Sequence, residues 1–330
     1  IVAHLLRTGD LRWWVPFGLV AGIGLENKIS VLFLGFGIVV GLILTRDWKH
    51  FVDKWLWIGG SLAVALFLPY VIWQSTHDWA VLEFMRRATE FKNLPLSPAE
   101  FLSAQIMQMN PIALPLVLAA LVFYFFMPQG RPFRALGWAG LAILTVMILQ
   151  RAKPYYFAPA HTMLFSAGGV AVAQLTARPL LRWLTPAYTV AIATTGVALA
   201  PLAKPILPVE SHIAYMATTG QAPSTDERKE LGRLPQFFAD RIGWQELAET
   251  VAEVYNNLPV AEQAEACIFA QNYGQAGAID FFGPELGLPP AISGHNSYWL
   301  WGHENCSGKA VIIIGGDLED HQQTFNDVEL

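Results

Sequence analysis

The chain has 330 residues, of which 54% are hydrophobic and only 14% charged, with a mean hydropathy of +0.38. Soluble domains carry roughly 25% charged residues, so this composition excludes an ordinary soluble protein. The net charge of −5 is unevenly spread: residues 1–203 hold 15 Lys/Arg and 8 Asp/Glu, whereas residues 204–330 hold 6 and 18, and the acidic part argues against nucleic acid, whose phosphates it would repel.

Residue 1 is Ile and the opening residues do not read as a signal peptide, so the chain is expected to be an N-terminally truncated fragment. A membrane-spanning helix needs about 20 mainly apolar residues. Stretches 13–27, 29–45, 55–74, 111–127, 135–150, 155–175 and 184–203 meet or approach that requirement, which predicts about seven helices in a transmembrane domain over 1–203. No internal repeat of the inverted-transporter kind is evident.

Orientation follows from Lys and Arg in the short loops. Arg46, Lys49 and Lys54, then Arg131 and Arg134, then Arg178 and Arg182 fall on one side by helix counting, and that side is expected to be cytoplasmic. The outer side then receives Glu26–Lys28, the loop 75–110, the link 151–154 and everything after about 204. Outer segments also hold Arg86, Arg87, Lys92, Arg151 and Lys153. Each cation taken singly fits a side chain reaching for lipid headgroups. The set, converging on one face against the usual charge bias, points instead to an anionic ligand there.

Within the long outer loop, "SPAE" (97–100) has the form of a helix start, with Ser97 as N-cap, Pro98 first and Glu100 third. The helix that follows is expected to be amphipathic and to lie along the bilayer. Between two apolar runs stands "QRAKPYYFAPAH" (150–161), whose cations, tyrosines and prolines mark a helix start at the outer face.

Residues 204–330 are expected to form a small extracytoplasmic α/β domain. "RIGWQELAETVAEVYNNLP" (241–259) has helical spacing, "ACIFA" (266–270) and "KAVIIIGG" (309–316) read as buried strands, and "NYGQAGAIDFFG" (272–283) as a turn into a helix. Such alternation predicts parallel strands. The glycines of that turn lack the nucleotide-binding pattern. "SGHNSYWLWG" (293–302) suits either a loop packed on the rest of the protein or a surface that stacks on a sugar, with packing preferred. Cys267 begins one strand and Cys306 precedes the other, so a disulfide between them is expected if those strands are neighbours in an oxidising compartment.

Three stretches carry a family resemblance: "GLVAGIGLENKIS" (18–30), "RAKPYYFAPAH" (151–161) and "NYGQAGAIDFFGPELGLPPAISGHNSYWLWG" (272–302). With them the chain resembles bacterial family 39 glycosyltransferases, the group related to protein O-mannosyltransferases and the lipid A aminoarabinose transferase. The resemblance implies a GT-C-like multi-pass helical membrane domain followed by the small α/β domain. It implies a polyprenyl-phosphate sugar donor, an unidentified acceptor (lipid, glycan or protein), and inverting transfer at the outer face of the cytoplasmic membrane. The acidic general base is expected upstream of Ile1, so the fragment alone is expected to be inactive. The donor phosphate needs a cation at the membrane face: Lys153 and Lys28 are first choices, Arg151, Arg86 and Arg87 weaker ones, with Tyr155 and Tyr156 donating hydrogen bonds or orienting the lipid. Pro154 and Pro159 would fix the backbone there, and His161 is expected to be a buried or interfacial histidine. No cofactor is expected, and no metal-ligand cluster is evident. A transporter or flippase of a lipid-linked substrate, or a membrane-anchored periplasmic sensor or assembly protein, are the competing readings.

Overall fold

The computed structural model describes residues 1–225, 227, 232–303 and 306–329, leaving aside the side chains of residues 91 and 92. It divides into two compact units, Ile1–Gln236 and Phe237–Leu330. The composition changes earlier, after Ala203. Residues 204–236 carry four Lys/Arg and four Asp/Glu, while residues 237–330 carry 2 and 14. The acidity therefore belongs wholly to the second unit, and the described residues of the neutral segment 204–236 fall in the first.

The first unit is helical. Its main elements are α1 (Val2–Thr8), α2 (Trp14–Asn27), α3 (Val31–Leu44), α4 (Lys54–Thr76), α5 (Ala80–Arg87), α6 (Pro98–Gln108), α7 (Leu114–Phe126), α8 (Arg134–Leu149), α9 (Ala158–Leu175), α10 (Leu184–Ala203) and α11 (Val209–Thr218). A helix stands at every one of the seven apolar stretches, but their lengths correct the expected count of spans. Among the described residues, segments 54–76, 128–149 and 179–203 are long and apolar enough to cross a membrane, and α6 with α7 makes a fourth if the bent pair is one span. The reason is local chemistry. Glu26, Asn27 and Lys28 end α2 after 14 residues, and α3 also has 14. At 1.5 Å per residue each is about 21 Å long, short of the roughly 30 Å hydrocarbon core. α9 reaches 18 residues but carries His161, Thr162, Ser166 and Gln174.

Small residues let the helices pair closely, as in membrane bundles. A methyl group on Gly18 of α2 would collide with the Gly59 backbone of α4, and one on Gly59 with the Trp14 carbonyl. The same holds for Gly41 of α3 against Ala135 of α8, and for Gly168 of α9 against Leu116 of α7. Around these seams lie two apolar clusters. One contains Phe101, Phe123, Tyr124, Ile143, Met147, Phe157 and Leu164; the other contains Leu5, Trp14, Ile38 and Leu42. α10 buries none of its residues yet is apolar all round, as a lipid-facing helix would be.

Ser97, Pro98 and Glu100 form the expected capping box: Ser97 N donates to Glu100 Oε2 (2.7 Å), and Glu100 N to Ser97 Oγ (3.3 Å). α6 ends at Gln108, Asn110 with a φ of 72° turns the chain, and α7 leaves at a bend of 100°.

The second unit is a small α/β layer. Strands β1 (Ala266–Ala270), β2 (Ala291–Ile292) and β3 (Ala310–Ile314) form a parallel sheet in the order β2-β1-β3, with Ile268 paired to Ala291 on one side and to Ile312 on the other. Helices α12 (Trp244–Asn257) and α13 (Tyr273–Phe282) complete the core, in which Val251, Ile268, Ile279, Leu288 and Ile314 are buried. Asn272 caps α13 by accepting from Gly274 N (2.9 Å) and Gln275 N (3.0 Å), which accounts for the turn in "NYGQAG". Two short helices, α14 (Ser297–Trp301) and α15 (Leu318–Thr324), flank β3. Cys267 of β1 and Cys306 before β3 are joined as a disulfide, Cα atoms 5.6 Å apart.

Candidate functional site

The segment 151–157 is a tight connection between α8 and α9. Arg151, exposed, takes a left-handed turn (φ 51°), and Ala152 N returns to Met147 O (2.9 Å) to close the end of α8. Pro154 opens a 3-10 turn, Pro154–Phe157, that feeds α9. A proline suits this position because its fixed φ fits a helix entrance and it has no N–H to leave unpaired. α6 clamps the turn from the side: Gln105 Nε2 donates to the Pro154 carbonyl (2.8 Å, buried), and Phe157 is buried in the core. Gln105 and Phe101 share the buried face of α6, one helical turn apart.

Tyr155 and Tyr156 emerge from this turn with ring centroids 4.6 Å apart, edge to face. Lys28, at the end of α2, lies above both: Nζ is 5.2 Å from the Tyr156 centroid and 6.0 Å from that of Tyr155. Those distances are in the range of cation–π attraction, about 0.5–2 kcal/mol. Three residues proposed separately from the sequence therefore share one place.

Lys153, separated from the tyrosines in the chain by Pro154, is paired elsewhere. Its ammonium donates to Glu227 Oε1 at 2.8 Å, and the two side chains are 16% and 10% exposed. Glu227 is set in a polar knot. Gln236 Nε2 donates to its Oε2 (2.8 Å), its N–H donates to Thr225 Oγ1 (2.9 Å), and its backbone bridges Asn93 in antiparallel fashion. Sequence reasoning missed Glu227, Thr225, Gln236 and Gln105. A polar residue one turn after Phe101 on an otherwise apolar face was a usable signal for Gln105; the others carried none.

Arg86 and Arg87 turn to a carboxylate of their own helix. Glu83 accepts from Arg86 Nε (3.1 Å) and Arg87 Nε (2.7 Å) in an exposed cluster on α5. Hydrogen bonds from Arg86, then Arg87, hold the Glu83 carboxyl below the usual carboxylate range. The structure thus assembles Lys28, Tyr155 and Tyr156, sets Lys153 on the same turn against Glu227, and gives Arg86 and Arg87 a partner of their own. His161 is buried in α9, its ring against Phe157 and stacked on Phe165.

In the second unit the 293–302 segment forms α14. Tyr298 donates to Asp280 Oδ2, and Ala291 N donates to Asp280 Oδ1 (2.8 Å). Burial, then Asp280, push the Tyr298 phenol up to about 12. Trp299 and Trp301 stay 72% and 66% exposed, beside a depression of about 210 Å³ lined by Phe269, Ile292, Ser293 and His303 among others. Among the described residues no group of three or more His, Cys, Asp or Glu is placed to hold a metal ion.

Among the described residues, apolar helices long enough to span a bilayer define a helical membrane protein. Residues 1–73 match the family model described as dolichyl-phosphate-mannose-protein mannosyltransferase. That match includes Lys28 and supports the GT-C type of membrane glycosyltransferase, which uses a lipid-phosphate-linked sugar donor; it supports no particular member. No curated protein and no solved structure gives a significant match to the chain.

Proposed function

We propose that this protein is a membrane glycosyltransferase that moves a sugar from a polyprenyl-phosphate donor to an acceptor at the outer face of the cytoplasmic membrane, with inversion. The observation that carries the reading is the meeting of Lys28 with Tyr155 and Tyr156, separated from Lys153 by Pro154 alone, within a chain whose first 73 residues match a lipid-phosphate-sugar transferase family. In this reading an acceptor oxygen attacks the anomeric carbon. The carbon–oxygen bond to phosphate breaks, the phosphate leaves with the electron pair, and the acceptor's proton passes to a base. Cations near the leaving phosphate stabilise the charge that develops on it; Lys28 and Lys153 take that role, with Tyr155 and Tyr156 orienting the lipid phosphate. Arg151, exposed on the same turn, is a weaker candidate. Arg86 and Arg87 are weaker still, because each already has Glu83. The disulfide in the second unit supports an extracytoplasmic domain, since such bonds persist in oxidising compartments.

The test is sugar transfer from a labelled polyprenyl-phosphate sugar in liposomes. Lys153→Ala is expected to lower transfer at least tenfold, about the 1.4 kcal/mol of one lost charge-assisted contact, whereas Lys49→Ala, an exposed lysine paired with Asp47, leaves it near wild type. Equal rates would remove Lys153 from the site. Movement of intact lipid-linked sugar across the bilayer without sugar release would favour the flippase reading.

A further inference from the structure

An ion pair is neutral as a unit. With its ammonium 2.8 Å from Glu227, Lys153 presents little net field to a phosphodiester arriving at the membrane face. The two partners are held in different ways. Lys153 stands on a turn locked into the helical core by Gln105 and Phe157. Glu227 has one isolated backbone bridge, to Asn93, and its carboxylate is aimed by side chains: Gln236 holds Oε2, Thr225 takes its N–H, and Thr225 donates to Gln236. Gln236 N also donates to Ser224 O (3.0 Å), which ties the knot together. A carboxylate resembles a phosphate in charge and in accepting from an ammonium.

We propose that Glu227 is a built-in counter-ion, occupying on Lys153 the place of the donor phosphate until the donor displaces it. The proposal rests on the assignment of Lys153 to the donor-phosphate site. The exchange makes and breaks no covalent bond and moves no proton. One lysine–carboxylate contact is given up and one lysine–phosphate contact is gained, while Gln236 Nε2 keeps its hydrogen bond to Oε2, so that the released carboxylate is not left bare. Glu227 acts through Lys153 and is a positioning residue.

Its consequence is selectivity. A bare lysine at the membrane face would be filled by the abundant phosphates of bulk phospholipids. Where a carboxylate must first be displaced, net affinity is the difference between two ion pairs. A lipid that offers a phosphate alone gains almost nothing, and one that also engages Lys28 and the tyrosines gains enough to enter.

The experiment uses the chain in phosphatidylcholine nanodiscs, with binding of a polyprenyl monophosphate measured directly and phosphatidylglycerol as competitor. Glu227→Gln is expected to tighten polyprenyl-phosphate binding about fivefold, the worth of a contact near 1 kcal/mol. Phosphatidylglycerol, a poor competitor in the wild type, should become an effective one. Glu227→Asp, which keeps the charge on a shorter stem, should shift both in the same direction by less, and it decides the matter if the glutamine variant does not fold. Glu210→Gln, which removes an exposed pair with Arg233, should change neither. Unchanged or weaker polyprenyl-phosphate binding in both Glu227 variants would overturn the proposal, as would phosphatidylglycerol competing equally in the wild type. A wild type that binds no polyprenyl phosphate, or a Lys153→Ala variant that binds it as well as wild type, would remove the donor site itself and this proposal with it.

Discussion

At the scale of single residues, two aromatic–polar pairs make measurable claims. Lys28 sits over Tyr155 and Tyr156, so the ring faces, more than the phenol hydroxyls, hold it. Tyr156→Phe should therefore leave donor affinity close to wild type, while Tyr156→Leu should weaken it about fivefold, near 1 kcal/mol of cation–π attraction; the donor KM of the two variants checks this. The second pair is Trp14 and His50. Trp14 Nε1 donates to His50 Nδ1 at 3.1 Å, so the neutral ring carries its proton on Nε2, which lies 3.7 Å from Asp47. Burial lowers the His50 pKa from its ordinary 6.5. The unfolded chain then binds a proton that the folded one resists, so this contribution to stability is complete above 6.5 and declines as pH falls through 6.5 towards the lower folded value. Thermal unfolding in detergent at pH 7.5 and 5.5 should show the loss. His50→Gln, which does not titrate there, should show a smaller difference between the two pH values.

At the scale of elements, the packing of α2 on α4 separates two neighbouring glycines. An added methyl at Gly59 meets the Trp14 backbone, whereas at Gly60 it meets nothing within 4 Å. Gly59→Ala should destabilise by about 1–3 kcal/mol as the helices are forced apart. Gly60→Ala should be neutral or stabilising by up to about 1 kcal/mol, because alanine favours the helix; melting temperatures in detergent distinguish them. Elements of this kind were legible in the sequence wherever a local rule governed them. The capping box at Ser97, the helix over Trp244–Asn257 and the parallel strands β1 and β3 follow from caps and periodicity. Among the described residues fewer helices reach the length of a span than the seven apolar stretches suggest, because α2 and α3 end after 14 residues each. β2 escaped notice because two residues have no period. The grouping of Lys28 with the tyrosines was legible only as separate cations and aromatics. Glu227 was not legible at all: it lies in "STDERKE", where every residue is polar, and only a pairing across 74 positions singles it out.

At the scale of the whole molecule, two units rest on different physics. The first keeps large apolar surface exposed on α4 and α10, as lipid demands. The second is small and acidic and is stapled by Cys267–Cys306, which closes a loop of 39 positions, worth about 4 kcal/mol in the chain-entropy account. Reduction should therefore lower the unfolding temperature of the second unit, and Cys267→Ser with Cys306→Ser should reproduce that loss without reductant. Fluorescence-detected melting with and without dithiothreitol tests it; an unchanged midpoint would count against the bond. The first unit holds a different kind of dependence. The family-matched segment 1–73 supplies Lys28, while its tyrosine partners belong to the turn before α9. During synthesis the lysine leaves the ribosome with α2, and several helices must follow before any ring exists for it to meet. The meeting of Lys28 with the two tyrosines is thus completed only once the turn before α9 has been made. A nascent chain halted at the end of α8 would carry Lys28 and its early helices with neither ring beside it.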